Sequence, residues 1–148
     1  MKTITNSPQE TKDLAATLAK NLKPGDILGL VGDLGGGKTC FVQGLAAGLQ
    51  IPKEAPVSSP TFVLIQEYLG GRLPLYHFDF YRLQSEREAV ELNLDEYFDG
   101  QGVCVVEWGD KFSKLFPKRT QWIRFQFIDG TTRSIVIASG AKQSRTKC

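Results

Sequence analysis

Cysteine and histidine are scarce in this chain: three cysteines (Cys40, Cys104, Cys148) and a single histidine, His77, in 148 residues. The cysteines are widely spaced and odd in number, with no Cys-x-x-Cys pair and no Cys/His cluster. Neither a zinc site nor a disulfide framework is therefore expected, and a reducing compartment fits best. Also missing is any run of about 18 apolar residues, so no membrane-spanning helix is expected. The opening MKTITNSPQETKD is polar and holds no apolar core of a secretory leader, which predicts a cytoplasmic location. A strong charge of either sign is absent too. The formal net charge is +2, too small for a surface that coats DNA or RNA. Any RNA connection must come through a specific site or a partner. Internal repeats and linkers are lacking, and the length suits one domain.

What is present alternates between helix and strand patterns. Ser7-Pro8-Gln9-Glu10 reads as a helix start, with a cap, a proline in the first turn and a glutamate three residues on. Leu14, Ala15, Leu18, Ala19 and Leu22 follow at helical spacing, and Pro24-Gly25 ends the pattern. Asp26 to Val31 reads as a short buried strand, and Thr39 to Leu49 as an amphipathic helix. Pro52 to Pro60 reads as a loop. Thr61 to Tyr68 and Leu73 to Phe80 read as strands joined through Gly70-Gly71-Arg72. Residues 84 to 98 are acidic with a helical pattern. Gly102 to Val106 is a second buried strand. Trp122 to Phe127 and Thr132 to Ile137 alternate around Asp129-Gly130, which predicts a hairpin. The order predicts a single-domain α/β fold over residues 1–138. Its sheet is of the P-loop type, mixed parallel and antiparallel, and flanked by helices. Residues 139–148 read as a disordered basic tail.

Between the first buried strand and the second helix lies Gly32-Asp-Leu-Gly-Gly-Gly37-Lys38-Thr39, a full G-x-x-x-x-G-K-[ST] match. Glycines permit positive φ and let backbone N–H groups converge on phosphate oxygens. Asp33, Leu34, Gly35, Gly36, Gly37, Lys38, Thr39 and Cys40 form that cradle. The following helix aims its positive end at the same charge. In such loops the lysine reaches the β- and γ-phosphates and the hydroxyl ligates Mg²⁺. Strand before and helix after supply the context that the pattern needs.

A phosphate loop also needs a carboxylate for the metal, usually at the end of a buried strand. Glu107 follows Val-Cys-Val-Val, and Asp79 sits within LPLYHFDFYRL; both are candidates, against the plainer reading of strand-end caps or surface salt bridges. No Asn-Lys-x-Asp guanine signal occurs, so ATP is preferred over GTP. Ser58 to Phe62 lies where a switch threonine, Thr61, would sense the γ-phosphate; the plain alternative is a proline turn. His77 lies in an apolar strand pattern and reads as a packed histidine. The acidic segment of residues 86 to 99 reads as a solvated face.

GDLGGGKT, SPTF, LYHFDFYRL, ELNLDEYF and VCVVEW, in that order, closely resemble the bacterial TsaE family. These are small P-loop ATPases of tRNA threonylcarbamoyladenosine biosynthesis. The resemblance spans roughly residues 7 to 137. It implies a protein that binds and slowly hydrolyses ATP with Mg²⁺ and resets a complex of TsaB and TsaD. Those partners transfer the threonylcarbamoyl group to adenosine 37 of tRNAs reading ANN codons, so tRNA is met through the complex. By position, Lys38 and Thr39 would hold phosphate and Mg²⁺. Glu107 would be the metal carboxylate, and Asp79 would assist the metal or orient the attacking water. Thr61 would carry the switch hydroxyl, and Trp108 would flank the site. Thr11 and Arg133 would border the adenine. Cys40 stands where the family often has a second threonine, and no catalytic role is expected of it.

Two rival readings use the same loop. A small-molecule kinase would need an acceptor pocket and lid arginines, for which Arg119 and Arg124 are the later pair. A nucleotide-gated binding module would bind without meaningful hydrolysis.

Overall fold

The computed structural model describes residues 1–32, 37–52 and 65–139. In chain order the elements are β1 (Lys2–Thr5), α1 (Pro8–Ala19), β2 (Ile27–Gly32), α2 (Lys38–Gly48), β3 (Ile65–Tyr68), β4 (Leu75–Asp79), α3 (Glu86–Val90), α4 (Leu94–Phe98), β5 (Val103–Glu107), a 3-10 segment (Gly109–Leu115), β6 (Gln121–Asp129) and β7 (Thr132–Ser139). The strands form one seven-stranded sheet in the order β1-β7-β6-β2-β5-β4-β3. β6, β2, β5 and β4 run parallel, while β3, β7 and β1 pair antiparallel at the two margins. The expected mixed α/β sheet is the observed one.

Both faces of the central strands are covered, which is why β2 and β5 read as continuous apolar runs rather than alternating ones. On one face α1 and α2 pack against Leu28, Leu30, Leu75, Val103, Val105, Ile123, Phe125 and Ile135. On the other, α3, α4 and the residues after β4 enclose Ile27, Phe78, Cys104 and Val106.

Local chemistry explains the element ends. Ser7 caps α1 by accepting from the Glu10 N–H at 3.1 Å, and Glu10 accepts from the Asn6 N–H at 2.9 Å. The single helix expected over residues 84 to 98 is two short ones. Asn93 interrupts it at φ 57, a left-handed conformation that asparagine tolerates better than most residues. β1 was not foreseen: KTIT is short, and it is a strand because β7 offers it a partner, with Thr5 opposite Arg133. The 3-10 segment was likewise not foreseen. The Pro52–Pro60 loop (beyond Pro52), the first half of the Thr61–Tyr68 strand and residues 140–148 of the basic tail lie outside the described residues; Ser139, expected to open that tail, is instead the last residue of β7, paired with Gln121 of β6.

The two large helices meet along a seam of small residues. A methyl group on Gly44 would lie 2.3 Å from the Lys12 carbonyl oxygen and 2.8 Å from the Ala15 Cβ. Gly44→Ala therefore destabilises the protein although alanine is the better helix former. Overpacking costs roughly 1–3 kcal/mol, against a propensity gain of about 1 kcal/mol. Thermal unfolding should show a lower Tm; an unchanged or higher value would mean that the helices have room to separate.

Candidate functional site

The parallel register brings distant parts of the chain to one end of the sheet. β2 ends at Gly32, directly beside Phe125 of β6, and its preceding Leu30 is opposite Glu107 at the end of β5. Glu107 is in turn opposite Asp79 at the end of β4. The carboxyl ends of parallel strands are where open α/β sheets place ligands. Gly32 has φ 132, and a Cβ there would strike the Phe125 carbonyl oxygen at 2.2 Å. Only glycine fits where the chain leaves the sheet toward α2. Asp33, Leu34, Gly35 and Gly36 of the expected cradle lie outside the described residues, as does Thr61.

Gly37, at φ 100, precedes α2, which begins at Lys38. Among the described residues no side chain caps α2, and its first turn carries no acid, whereas α1 has both. The positive end of the α2 dipole is thus left for an anion. Thr39 and Cys40 follow in this first turn, both half-buried. Lys38 is 4% exposed; its Nζ donates to the Gly32 carbonyl at 2.9 Å and lies 4.2 Å from the centre of the Trp108 ring. The ammonium is held over the site by a carbonyl and an aromatic face, two contacts that a phosphate can replace.

Trp108 adopts φ 63, unusual for a bulky residue. Its N–H donates to the Leu30 carbonyl at 3.1 Å, and its ring meets Tyr81 at 5.1 Å between centroids. These contacts offset a strain of roughly 1–2 kcal/mol and stand the indole beside Lys38.

Asp79 and Glu107 differ in setting. Asp79 is half-buried and accepts from the Tyr81 N–H at 2.9 Å. Burial raises its pKa above the ordinary aspartate value. The Tyr81 N–H opposes this, the Glu107 charge raises it further, and His77 and Lys38 lower it. Glu107 is buried, and its Oε2 lies 2.6 Å from the Nε2 of His77. An ionised carboxylate only accepts, so Nε2–H donates. His77 Nδ1 is buried with no hydrogen-bond partner among the described residues, a cost of about 1–3 kcal/mol. His77 is packed, as its setting implied, but its bond to Glu107 was missed. The available signal was His77-x-Asp79 on a strand: alternation puts both on one face.

The adenine-side candidates also approach the loop. A methyl on Gly37 would lie 3.8 Å from both Thr11 Cγ2 and Arg133 Cγ. Thr11 is buried and shares a 2.8 Å hydrogen bond with Thr5. Arg133 donates to the Gly130 and Thr132 carbonyls and stacks its guanidinium 4.8 Å from Phe127. Thr131 and Thr132 donate to Asn6, joining the hairpin to the start of α1. Arg119 is elsewhere: it donates to the carbonyls of Gly25 and Phe98, at the opposite end of the parallel strands. Cys104 is inert, its thiol pushed up to about 12 by burial.

Because burial raises the Asp79 pKa, the folded chain pays for its charge at neutral pH, and the cost vanishes once the carboxyl is protonated in folded and unfolded chains alike. Asp79→Asn keeps the acceptor for Tyr81 and removes the charge. The variant without ligands should melt higher than the parent at pH 7, with the gain shrinking on acidification through the carboxylate range. A thermal-unfolding series against pH reads this, and a variant that melts lower at pH 7 would contradict it.

With this geometry in view, the comparisons with known proteins are specific. The family model described as threonylcarbamoyl adenosine biosynthesis protein TsaE matches residues 5–135. The chain is 44% identical over 148 residues to the tRNA threonylcarbamoyladenosine biosynthesis protein TsaE of Bacillus subtilis (strain 168), covering 100% of this chain and 91% of that one. It is 39% identical to the protein of the same name from Treponema pallidum (strain Nichols), covering 93% and 100%. The crystal structure of YdiB from Bacillus subtilis superposes with a TM-score of 0.79 at 38% identity, over 100% of this chain and 90% of that one. Sequence, motif order and fold agree over almost the whole length, and the chain belongs to the TsaE family of tRNA threonylcarbamoyladenosine biosynthesis proteins.

Proposed function

We propose that this TsaE protein serves tRNA threonylcarbamoyladenosine formation as a Mg²⁺-dependent ATP switch that turns over slowly alone and acts on the TsaB and TsaD proteins. The observation carrying this reading is a convergence at one sheet end. The uncapped start of α2, the buried Lys38 ammonium, and the strand-end carboxylates Asp79 and Glu107 meet there. The same residues fit the group they would hold. Backbone N–H groups at the α2 start and Lys38 suit phosphate oxygens. The Thr39 hydroxyl and the two carboxylates are the hard oxygen donors that Mg²⁺ takes. When bound, ATP with Mg²⁺ supplies the phosphoryl group that is passed to water.

Each residue then has a separate task. Lys38 moves from Gly32 and Trp108 to phosphate and offsets its charge. Glu107 and Thr39 hold the metal, and Asp79 assists it or orients the water. Thr61 senses the γ-phosphate in this reading, a role that rests on the sequence alone. Thr11 and Arg133, beside Gly37, border the adenine. The kinase alternative is weakened by Arg119, whose guanidinium is engaged far from the loop.

Slow turnover of the isolated protein follows from the lack of an evident arginine finger in the sequence, since a finger is worth about 10³–10⁵ in rate. Adding TsaB and TsaD should raise hydrolysis; equal rates with and without them would defeat the switch reading. Lys38→Ala should abolish ATP binding, measured by calorimetry. Glu107→Gln should spare the fold and cut Mg²⁺-dependent hydrolysis by more than the roughly 10–100-fold typical of losing a ligand's supporting partner.

A further inference from the structure

We infer that His77 is a positioning residue for the metal carboxylate: its Nε2–H holds one oxygen of Glu107 so that the other is left to the metal ion. This rests on the Mg²⁺·ATP reading of the site. Three observations carry it. First, the contact is short, at 2.6 Å between Nε2 and Oε2, and both side chains are shielded, at 0% and 6% exposure. Second, among the described residues no other hydrogen bond reaches the Glu107 carboxylate, so His77 is the one directed contact there that orients this side chain. Third, the register makes the arrangement a diagonal one. Asp79 is directly opposite Glu107, and His77 is two residues earlier on β4, opposite Val105. His77, Asp79 and Glu107 therefore share the face on which α2 lies, since their neighbours along that face, Leu75 and Val105, belong to the α1–α2 core.

An imidazole in this position is otherwise hard to explain. His77 is fully buried, and among the described residues its Nδ1 has no hydrogen-bond partner. A leucine would fill such a strand position without burying a polar ring. What the histidine adds is one directed donor. Metal-binding groups depend on outer partners of this kind, which fix the orientation of the ligand and raise its affinity for the ion. Here the usual roles are exchanged: the carboxylate is the metal ligand and the histidine is its support. Glutamate has three side-chain torsions, one more than aspartate, and gains correspondingly more from such a tether.

The test compares His77→Leu, which removes the donor, with His77→Gln, whose amide N–H₂ has a similar reach, and His77→Asn, whose shorter amide falls short. Calorimetry of ATP binding in EDTA reads the phosphate cradle. Titration of Mn²⁺ into the ATP-loaded protein, followed by electron paramagnetic resonance, reads the metal site. His77→Leu and His77→Asn should weaken Mn²⁺ binding by about 10–100-fold, leave ATP binding in EDTA unchanged, and raise the Mg²⁺ concentration needed for half-maximal hydrolysis. His77→Gln should restore Mn²⁺ binding to within a few-fold of the parent. If the leucine variant does not fold, the glutamine and asparagine variants decide: equal Mn²⁺ affinity in the two overturns the inference. Parental Mn²⁺ affinity in a folded leucine variant overturns it as well. A parent protein with no metal-dependent ATP binding would instead overturn the reading of the site itself, which the same titration shows before any variant is made.

Discussion

The hydrogen-bonded register between β4, β5 and β2 is the constraint on which the site depends. Asp79 and Glu107 are 28 positions apart in sequence numbering and Lys38 is a further 41 before Asp79, yet parallel pairing sets both carboxylates side by side and places Glu107 opposite the strand that leads into the glycine loop. A slip of one residue would turn each side chain to the other face of the sheet. Glu107 would then face the aromatic layer of Phe78, Phe80 and Phe98 instead of α2. Such a slip would part Glu107 from His77 and leave the carboxylate buried among apolar groups without that partner.

Against this rigid frame the site concentrates unfavourable features. Among the described residues a helix start lacks its side-chain cap, a lysine is buried, a tryptophan occupies left-handed backbone, and a histidine nitrogen goes unpaired. Two carboxylates with a repulsive influence on each other complete the set. Each is individually destabilising, and together they leave an end of the sheet whose charges and donors suit the Mg²⁺·ATP proposed above. Strain and unsatisfied polarity cluster where binding can relieve them. At the opposite end of the parallel strands Arg119 closes the carbonyls of Gly25 and Phe98.

Much of the fold was legible because its signals are local. The Ser7 cap, the helical spacing of α1, the apolar runs of β2 and β5 and the Asp129-Gly130 turn act over a few residues. The misreadings arose where distant partners decide. KTIT becomes a strand because β7 leaves it an edge to pair with. The acidic segment breaks at Asn93, where the helical pattern of the flanking residues continued without interruption in sequence. Gly44 and Gly48 likewise answer to a distant partner, since a Cβ at either would strike α1.

For the site, the amino-acid sequence by itself singled out the glycine loop, its lysine and hydroxyl, and the two candidate carboxylates, because a glycine pattern between a strand and a helix is complete within eight residues. Motif order likewise determined the family. Only the tertiary structure decided that Asp79 and Glu107 are neighbours, that Thr11 and Arg133 flank Gly37, and that His77 grips Glu107. The physical reason is that hydrogen-bond partners across strands depend on register and face. Those are settled when the whole sheet assembles, and no short stretch of chain contains them.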